Sequence, residues 1–417
     1  MAIIASAGLL GNGGFSGRLA KLCVTAAIDD YHWLLSPAAE PWIAEAAGAD
    51  TLRGGEIVRL VQRLRKTLSP ERAHLIVELA KLRRRAKEKF SQAERMFFTR
   101  VGLEQATDER IAAYKAERFE EGGRVADLCC GIGGDLLLLG RNGSATGVDA
   151  SEVAAAIARK NCEVLSVSNA EVQCARAEAT PLTEYDAWHI DPDRRPAGKR
   201  TTQVELHEPP LETLERMLAA NPNGAIKLAP AAEIPPGWEE RGECEWIGSR
   251  GECRQLVYWH GKLGSPGRRA AAIVDDRRIR VVYGHPGLEI GQANSISLYL
   301  YEPHPTVLAA DLTGYISRKY ALDAVAPRVA YLTGDQFVND EVLAGFEVLE
   351  TLPFDLKRLA ALLAARNIGR VEVKKRGVEI DPLVVQKKLQ TKAEDAAVIL
   401  LMPRNGQVWA VVARRLT

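Results

Sequence analysis

The chain has 417 residues, 47% of them hydrophobic and 26% charged, enough for two or three domains with real cores. Its 55 Lys and Arg balance 54 Asp and Glu to a formal net charge of +1. That excludes a histone-like polycation or an acidic disordered chain, and a nucleic-acid partner would have to be met by a local patch.

Residues 1–98 read as a helical region. Residues 1–10 are mildly apolar but lack a basic n-region and a long h-region, so no signal peptide is expected. Ser69-Pro70-Glu71 starts a helix: Ser caps open N–H groups, Pro suits the first turn and Glu favours the positive dipole end. Leu75, Ile76, Leu79 and Leu82 follow at helical spacing. Then comes a basic run, Lys81, Arg83, Arg84, Arg85, Lys87 and Lys89, which reads either as a solvated face or as a phosphate-contacting stripe. Thr107-Asp108-Glu109 starts a further helix.

From Arg124 the period changes. Strands are expected at 125–128, 172–175, 187–190 and 225–228, with helices at 151–164 and 211–220. Such alternation implies a parallel sheet covered by helices. Strands at 245–248 and 254–260 form a hairpin around Ser249-Arg250-Gly251. Residues 261–269 are rich in Gly, Ser and Pro, which places a domain boundary after 262. Beyond it come a hairpin at 270–274 and 279–283 and then a smaller α+β unit. Its strands are expected at 297–301, 329–332, 346–349 and 371–375, with a last hairpin, 398–402 and 408–412, across Asn405-Gly406. Asp355 and Asp381-Pro382 start its helices.

No apolar run approaches the roughly 20 residues a bilayer span needs. The seven cysteines, Cys23, Cys129, Cys130, Cys162, Cys174, Cys244 and Cys253, show no CxxC spacing. Neither a zinc ribbon nor a disulfide framework is expected, and a soluble, cytoplasmic protein is.

The chemistry-bearing stretch is Asp127-Leu-Cys-Cys-Gly131-Ile-Gly133-Gly134-Asp135, a strand running through a glycine turn into a helix. Glycines let a ligand approach the backbone and expose N–H groups at the helix start. Asp149 ends the next strand, about twenty residues on, where a carboxylate can grip both ribose hydroxyls. Glu178 follows the third strand. The fourth ends in Asp191-Pro192-Asp193-Arg194-Arg195. A glycine motif alone would also suit a dehydrogenase, but Asp127 would then have no role.

With these residues the sequence resembles class I S-adenosylmethionine (SAM)-dependent methyltransferases. The resemblance implies that Asp127, Gly131, Gly133 and Gly134 face the methionine part of SAM, that Asp149 binds its ribose and that Glu178 lies near its adenine. Asp191-Pro192 resembles the acceptor motif of enzymes that methylate exocyclic base nitrogens. The sequence departs from that pattern with Asp193 in place of a second Pro and Arg194 in place of a stacking aromatic. The segment from Arg100 through Thr107 to Ala112 resembles the lead-in of trimethylguanosine synthases, which implies that Thr107 reaches the SAM carboxylate; as a residue alone it reads equally as an N-cap.

The whole chain from about residue 50 resembles a bacterial family in which such a domain precedes a THUMP-like domain. The carrying residues are Lys89-Phe90-Ser91, Gly102 to Thr107, Asp191 to Arg195 and Val373-Lys374-Lys375-Arg376-Gly377. True THUMP domains bind RNA, so the resemblance implies an RNA substrate. The expected architecture is a helical region at 1–98, a Rossmann-like class I methyltransferase sheet at 99–262 and a THUMP-like α+β domain at 263–417. The expected function is SAM-dependent methylation of RNA, at a base nitrogen, with Asp191, Pro192, Asp193 and Arg194 at the acceptor. A protein or small-molecule acceptor, and a non-catalytic RNA-binding module keeping a SAM pocket, stand as alternatives. No metal is expected, because arginines beside Asp191 and Asp193 would compete for their carboxylates. His189 is read as packed on the sheet face, Cys129 and Cys130 as small fillers, and Trp188, Trp246 and Trp259 as core.

Overall fold

The computed structural model describes residues 27–48, 54–193, 202–275 and 278–416. Four helices open it: α1 (Ile28–Leu34), α2 (Glu40–Ala47), α3 (Gly54–Leu64) and α4 (Pro70–Ala86). The expected cap holds, with Ser69 Oγ accepting from the Arg72 N–H at 3.3 Å. Leu75, Ile76, Leu79 and Leu82 are buried along α4. Two short helices follow, α5 (Arg100–Gln105) and α6 (Glu109–Ala116). Asp108, not Thr107, caps α6 by accepting from the Arg110 N–H at 3.0 Å. The one-residue difference releases the Thr107 hydroxyl for other partners.

The expected alternation then appears as β1 (Arg124–Leu128), α7 (Leu136–Asn142), β2 (Ser144–Asp149), α8 (Glu152–Val164), β3 (Ala170–Cys174), β4 (Ala187–Ile190), α9 (Leu211–Ala220), β5 (Gly224–Leu228), α10 (Trp238–Arg241), β6 (Glu243–Ser249) and β7 (Glu252–Trp259). Two more strands, β8 (Arg269–Val274) and β9 (Ile279–Gly284), join the same sheet, in the order β3-β2-β1-β4-β5-β7-β6-β8-β9. Strands β1 to β5 run parallel, and β7 enters antiparallel between β5 and β6. This is the Rossmann-like class I sheet. Chain order reverses at β1, so a crevice opens beyond the ends of β1 and β4.

The 270–283 hairpin lies in this first sheet, although the sequence reading grouped it with the C-terminal unit. The Gly-, Ser- and Pro-rich stretch before it is a crossover that returns the chain to pair parallel with β6. The sheet therefore runs to Gly284.

The C-terminal unit contains β10 (Tyr299–Pro303), α11 (Pro305–Ala309), α12 (Thr313–Tyr320), β11 (Asp323–Ala324), β12 (Leu332–Gly334), β13 (Leu343–Pro353), α13 (Leu356–Ala365), β14 (Ile368–Lys375), α14 (Pro382–Leu389), β15 (Asp395–Arg404) and β16 (Gln407–Arg415). Its sheet order is β11-β12-β10-β13-β16-β15-β14. The Asn405-Gly406 hairpin forms as expected. On β15, Ile399 and Leu401 face α13 and α14, while Val398 and Leu400 face the other core. The strand expected at 329–332 begins only at Leu332; Val329 and Tyr331 are buried without joining the ladder.

The two sheets share a core. Trp188, Trp246 and Tyr258 of the first pack with Tyr301, Val307 and Ile316 of the second unit. The N-terminal helices share a separate core with Ile157 of α8, on which α1 packs. Gly248 on β6 lets α11 dock: a Cβ there would stand 2.0 Å from Thr306 Oγ1. Gly248→Ala should therefore destabilise the protein by about 1–3 kcal/mol through overpacking. Denaturant unfolding checks this, and Thr306→Ala in the same chain should recover part of the loss.

Candidate active site

The residues singled out in the sequence meet at the crevice. Past β1 the backbone turns through positive φ at Cys129 (54°), Gly131 (57°) and Gly133 (89°) before α7. For Cys129 this left-handed conformation is sterically costly, and glycine removes that cost at the other two. Asp149, at the end of β2, fixes the turn: its Oδ2 accepts from the Gly131 N–H and its Oδ1 from the Ser151 N–H, both at 2.8 Å. Glu178 lies in a single turn after β3, with Arg176 Nη2 at 3.1 Å. Asp191 directly follows β4, and its N–H donates to the Leu128 carbonyl at 3.2 Å.

A cavity of about 860 Å³ joins these positions. Thr107, Asp127, Gly131 and Gly134 line one part, Asp149 and Glu178 another, and Asp191, Pro192 and Asp193 a third. Gly133 is not in the lining; it faces Ala158 behind the turn. Arg194 and Arg195 lie outside the described residues. Lys89, Arg250 and Arg254 also border the cavity.

Against this geometry, three family models match the chain: a methyltransferase domain over residues 125–191, a THUMP domain-like model over 343–415 and a domain of unknown function over 27–86. An uncharacterized SAM-dependent methyltransferase of Mycobacterium tuberculosis, in strains CDC 1551 and H37Rv, is 31% identical over 365 residues. The match covers 82% of this chain and 96% of the relative. This chain belongs to the SAM-dependent methyltransferases. Its fold is also that of a Porphyromonas gingivalis W83 protein regarded as a methyltransferase, with a TM-score of 0.70, 17% identity and coverage of 88% of this chain and 100% of that one. SAM is thus the cofactor of this enzyme.

Beneath the cavity of the methyltransferase runs a chain of buried polar groups. Lys115 Nζ lies 2.7 Å from Asp135 Oδ1 and 3.0 Å from His189 Nε2. A lysine ammonium can only donate, so His189 Nε2 accepts and its Nδ1–H donates to Asp127 Oδ1 at 2.7 Å. On the other side Thr107 Oγ1 donates to Asp135 Oδ2 at 2.6 Å and accepts from Lys227 Nζ at 3.1 Å. Lys227 Nζ closes on Asp191 Oδ2 at 2.5 Å. His189 is buried as expected, and its burial comes with two polar partners.

Burial raises the Asp127 carboxyl above its usual range, against the pull of His189. Burial also acts to raise Asp135, but Lys115, His189 and Lys227 outweigh it and hold that carboxyl well below the usual range. Burial raises the Cys129 and Cys130 thiols, with Asp149 and Asp127 adding to it, so both stay protonated fillers at neutral pH.

The basic run divides. Lys89 turns inward, donating to the carbonyls of Leu103 (2.8 Å), Glu104 (3.3 Å) and Ala106 (2.7 Å) at the end of α5. Burial, then the charge of Lys227, brings its pKa down to about 8. Arg83 donates to the Met96 carbonyl at 2.8 Å and stacks over Phe97. Lys81, Arg84, Arg85 and Lys87 are exposed. In the C-terminal unit Lys374 and Arg376 both close on Glu302, at 2.5 and 3.0 Å.

Sequence reasoning missed Lys115 and Lys227. A signal existed for Lys227, a lone charge in the apolar strand Ala-Ile-Lys-Leu of β5; Lys115 shares α6 with Glu109 and Arg110 and carried none. Lysine at such a position is almost always paired.

Asp135→Asn should cost about 3–5 kcal/mol at neutral pH, because it leaves Lys115 buried without its counter-charge. The folded-state pKa of Asp135 is depressed, so its stabilisation is full above the unfolded value of about 4 and is lost as pH falls below it. Denaturant unfolding across acid pH should therefore show a shallower acid loss in the variant than in the wild type.

Proposed function

We propose that this methyltransferase modifies RNA at an exocyclic base nitrogen, in the cytosol, and that Asp191-Pro192-Asp193 forms the acceptor site, with Arg194 beside it. The observation that carries the reading is the placement of Asp191 at the end of β4, in the same cavity as Asp149 and the glycine turn. The division of labour follows the chain: helices to about 98, a methyltransferase unit running on to Gly284 and a THUMP-like unit beyond it.

The residues fit the cofactor. Asp127 Oδ2 is buried and accepts no hydrogen bond among the described residues, and Asp127 borders the cavity. Such an orphaned oxygen suits an ammonium group. Gly131 and Gly134 leave the backbone open beside it, and the positive φ of Gly133 maintains the turn. Asp149 is assigned to the ribose hydroxyls, Glu178 to the adenine end and Thr107 to the carboxylate end. When bound, SAM supplies an electrophilic methyl group on a sulfonium.

The protein's part is alignment and water exclusion. An exocyclic amine is a weak nucleophile because its lone pair is delocalised into the ring. Lys227 holds Asp191 Oδ2, which leaves Oδ1 to accept an N–H of the amine. A strand-end carbonyl takes the second N–H, and the lone pair is turned toward the methyl group. Paired bases hide these edges, so the target is a loop or an end.

Labelled methyl from SAM should enter total RNA of cells lacking the protein, and RNase should release it. Asp149→Ala should weaken SAM binding by calorimetry. Asp191→Ala should abolish transfer while leaving SAM affinity near wild type; equal loss of SAM binding in both would overturn these role assignments. Charge reversal at Arg84 and Arg85 should weaken RNA binding and reduce its salt slope by about 1 to 2, as expected for two lost phosphate contacts.

A further inference from the structure

A second cavity, of about 640 Å³, lies where the methyltransferase sheet meets the C-terminal unit. Arg110 from α6, Arg250 from the β6–β7 loop and Arg278 and Arg280 from the β8–β9 hairpin line it, with Asp275 and Glu341. Arg250 borders both this cavity and the cofactor cavity. We propose that this cavity binds a backbone phosphate of the RNA next to the nucleotide being methylated. The proposal rests on the RNA reading and adds the place where the strand is gripped.

The arginines are held as oriented donors. Arg250 Nη2 lies 3.1 Å from Asp108, Arg278 Nη1 lies 2.7 Å from Glu341, and Arg280 is clamped by Asp340 through Nη2 at 2.6 Å. These acids balance the arginines' charge, so the site works by direction rather than by a bulk positive field. A guanidinium has five N–H donors in a fixed fork, and one carboxylate on one edge leaves donors for a phosphate on another. Arg250 and Arg278 each meet their acid through one nitrogen and are the better placed for this.

The backbone at Arg250 supports a role for its side chain. Arg250-Gly251 is a two-residue hairpin loop with φ of +54° and +72°, the sign pattern of a type I′ turn. Asn, Asp or Gly is favoured at its first position. The chain's Asn405-Gly406 loop, with φ of +49° and +76°, carries the favoured Asn. An arginine at the equivalent place costs roughly 1–2 kcal/mol in backbone strain. Asp275 Oδ1 holds the loop by accepting the Arg250 N–H at 2.9 Å. The guanidinium is thereby fixed between the two cavities.

Arg250→Asn separates the side chain from the fold, because Asn suits this turn better than Arg. The variant should be at least as heat-stable as wild type and should keep its SAM affinity. Its affinity for total RNA from cells lacking the protein should fall about tenfold, the loss of one charge-assisted contact. Methyl transfer should fall through a raised KM for RNA. Arg278→Gln should act in the same direction, and Lys262→Asn, at an exposed residue between β7 and β8 that lines neither cavity, should not. Unchanged RNA binding in Arg250→Asn and Arg278→Gln, with wild type binding total RNA, would overturn the phosphate site and leave the RNA reading standing. No binding of total RNA by wild type would overturn both.

Discussion

The cavity depends on the line of ionisable groups buried beneath it. Asp127, His189, Lys115, Asp135, Thr107, Lys227 and Asp191 form one path of hydrogen bonds and ion pairs from the end of β1 to the end of β4. Each buried charge costs several kcal/mol unless it is paired, so these pairings hold the glycine turn, the entry to α6 and the Asp191–Asp193 segment relative to one another. Such preorganisation is what an alignment-driven reaction needs. Asp127 Oδ2, on this path, accepts no hydrogen bond among the described residues, and Asp127 borders the cavity.

Helix α6 carries this constraint to the rest of the fold. Lys115 points to the polar path, while Tyr114 donates to Glu245 at 2.5 Å and Arg118, just beyond the helix, pairs with Glu243 at 2.8 Å. Both glutamates are fully buried on β6, and Trp259 donates to Glu245 at 2.8 Å. Six residues thus tie one short helix to both the cavity side and the edge side of the sheet. The N-terminal helices act on the same segment. Lys89 satisfies carbonyls that α5 leaves open, which sets the Gly102–Thr107 stretch over the cavity.

Local signals made much of this legible in the sequence. Ser69, Ser151, Asp355 and Asp381 cap the helices they were expected to start, because a cap is a contact within three residues. The glycine turn and the strand-end acids were legible because each sits at a fixed place on a parallel sheet. Thr107 and Asp108 are both competent caps, so sequence alone could not choose between them. The stretch at 261–269 has linker composition yet is a crossover within a sheet, because composition does not record which strand comes next. The Lys115–His189 and Lys227–Thr107 contacts join positions 74 and 120 residues apart, beyond the reach of any pattern along the chain.

Asp193, standing where the motif it resembles has a second Pro, makes a backbone bond that a proline could not. The Asp193 N–H donates to the Glu208 carbonyl at 2.9 Å, and the Glu208 N–H returns a bond to Asp193 at 3.0 Å. A second proline would remove the first of these donors. Asp193 thus pins the segment after β4 to the chain leading into α9. The Glu208 carboxylate then meets Arg176 Nη2 at 3.3 Å, and the same nitrogen lies 3.1 Å from Glu178. Asp193, Glu208, Arg176 and Glu178 form a rim that joins the segment after β4 to the acid after β3. With proline at 193 the segment would come closer to the motif of enzymes that methylate exocyclic base nitrogens, and this rim would lose the bond that anchors it.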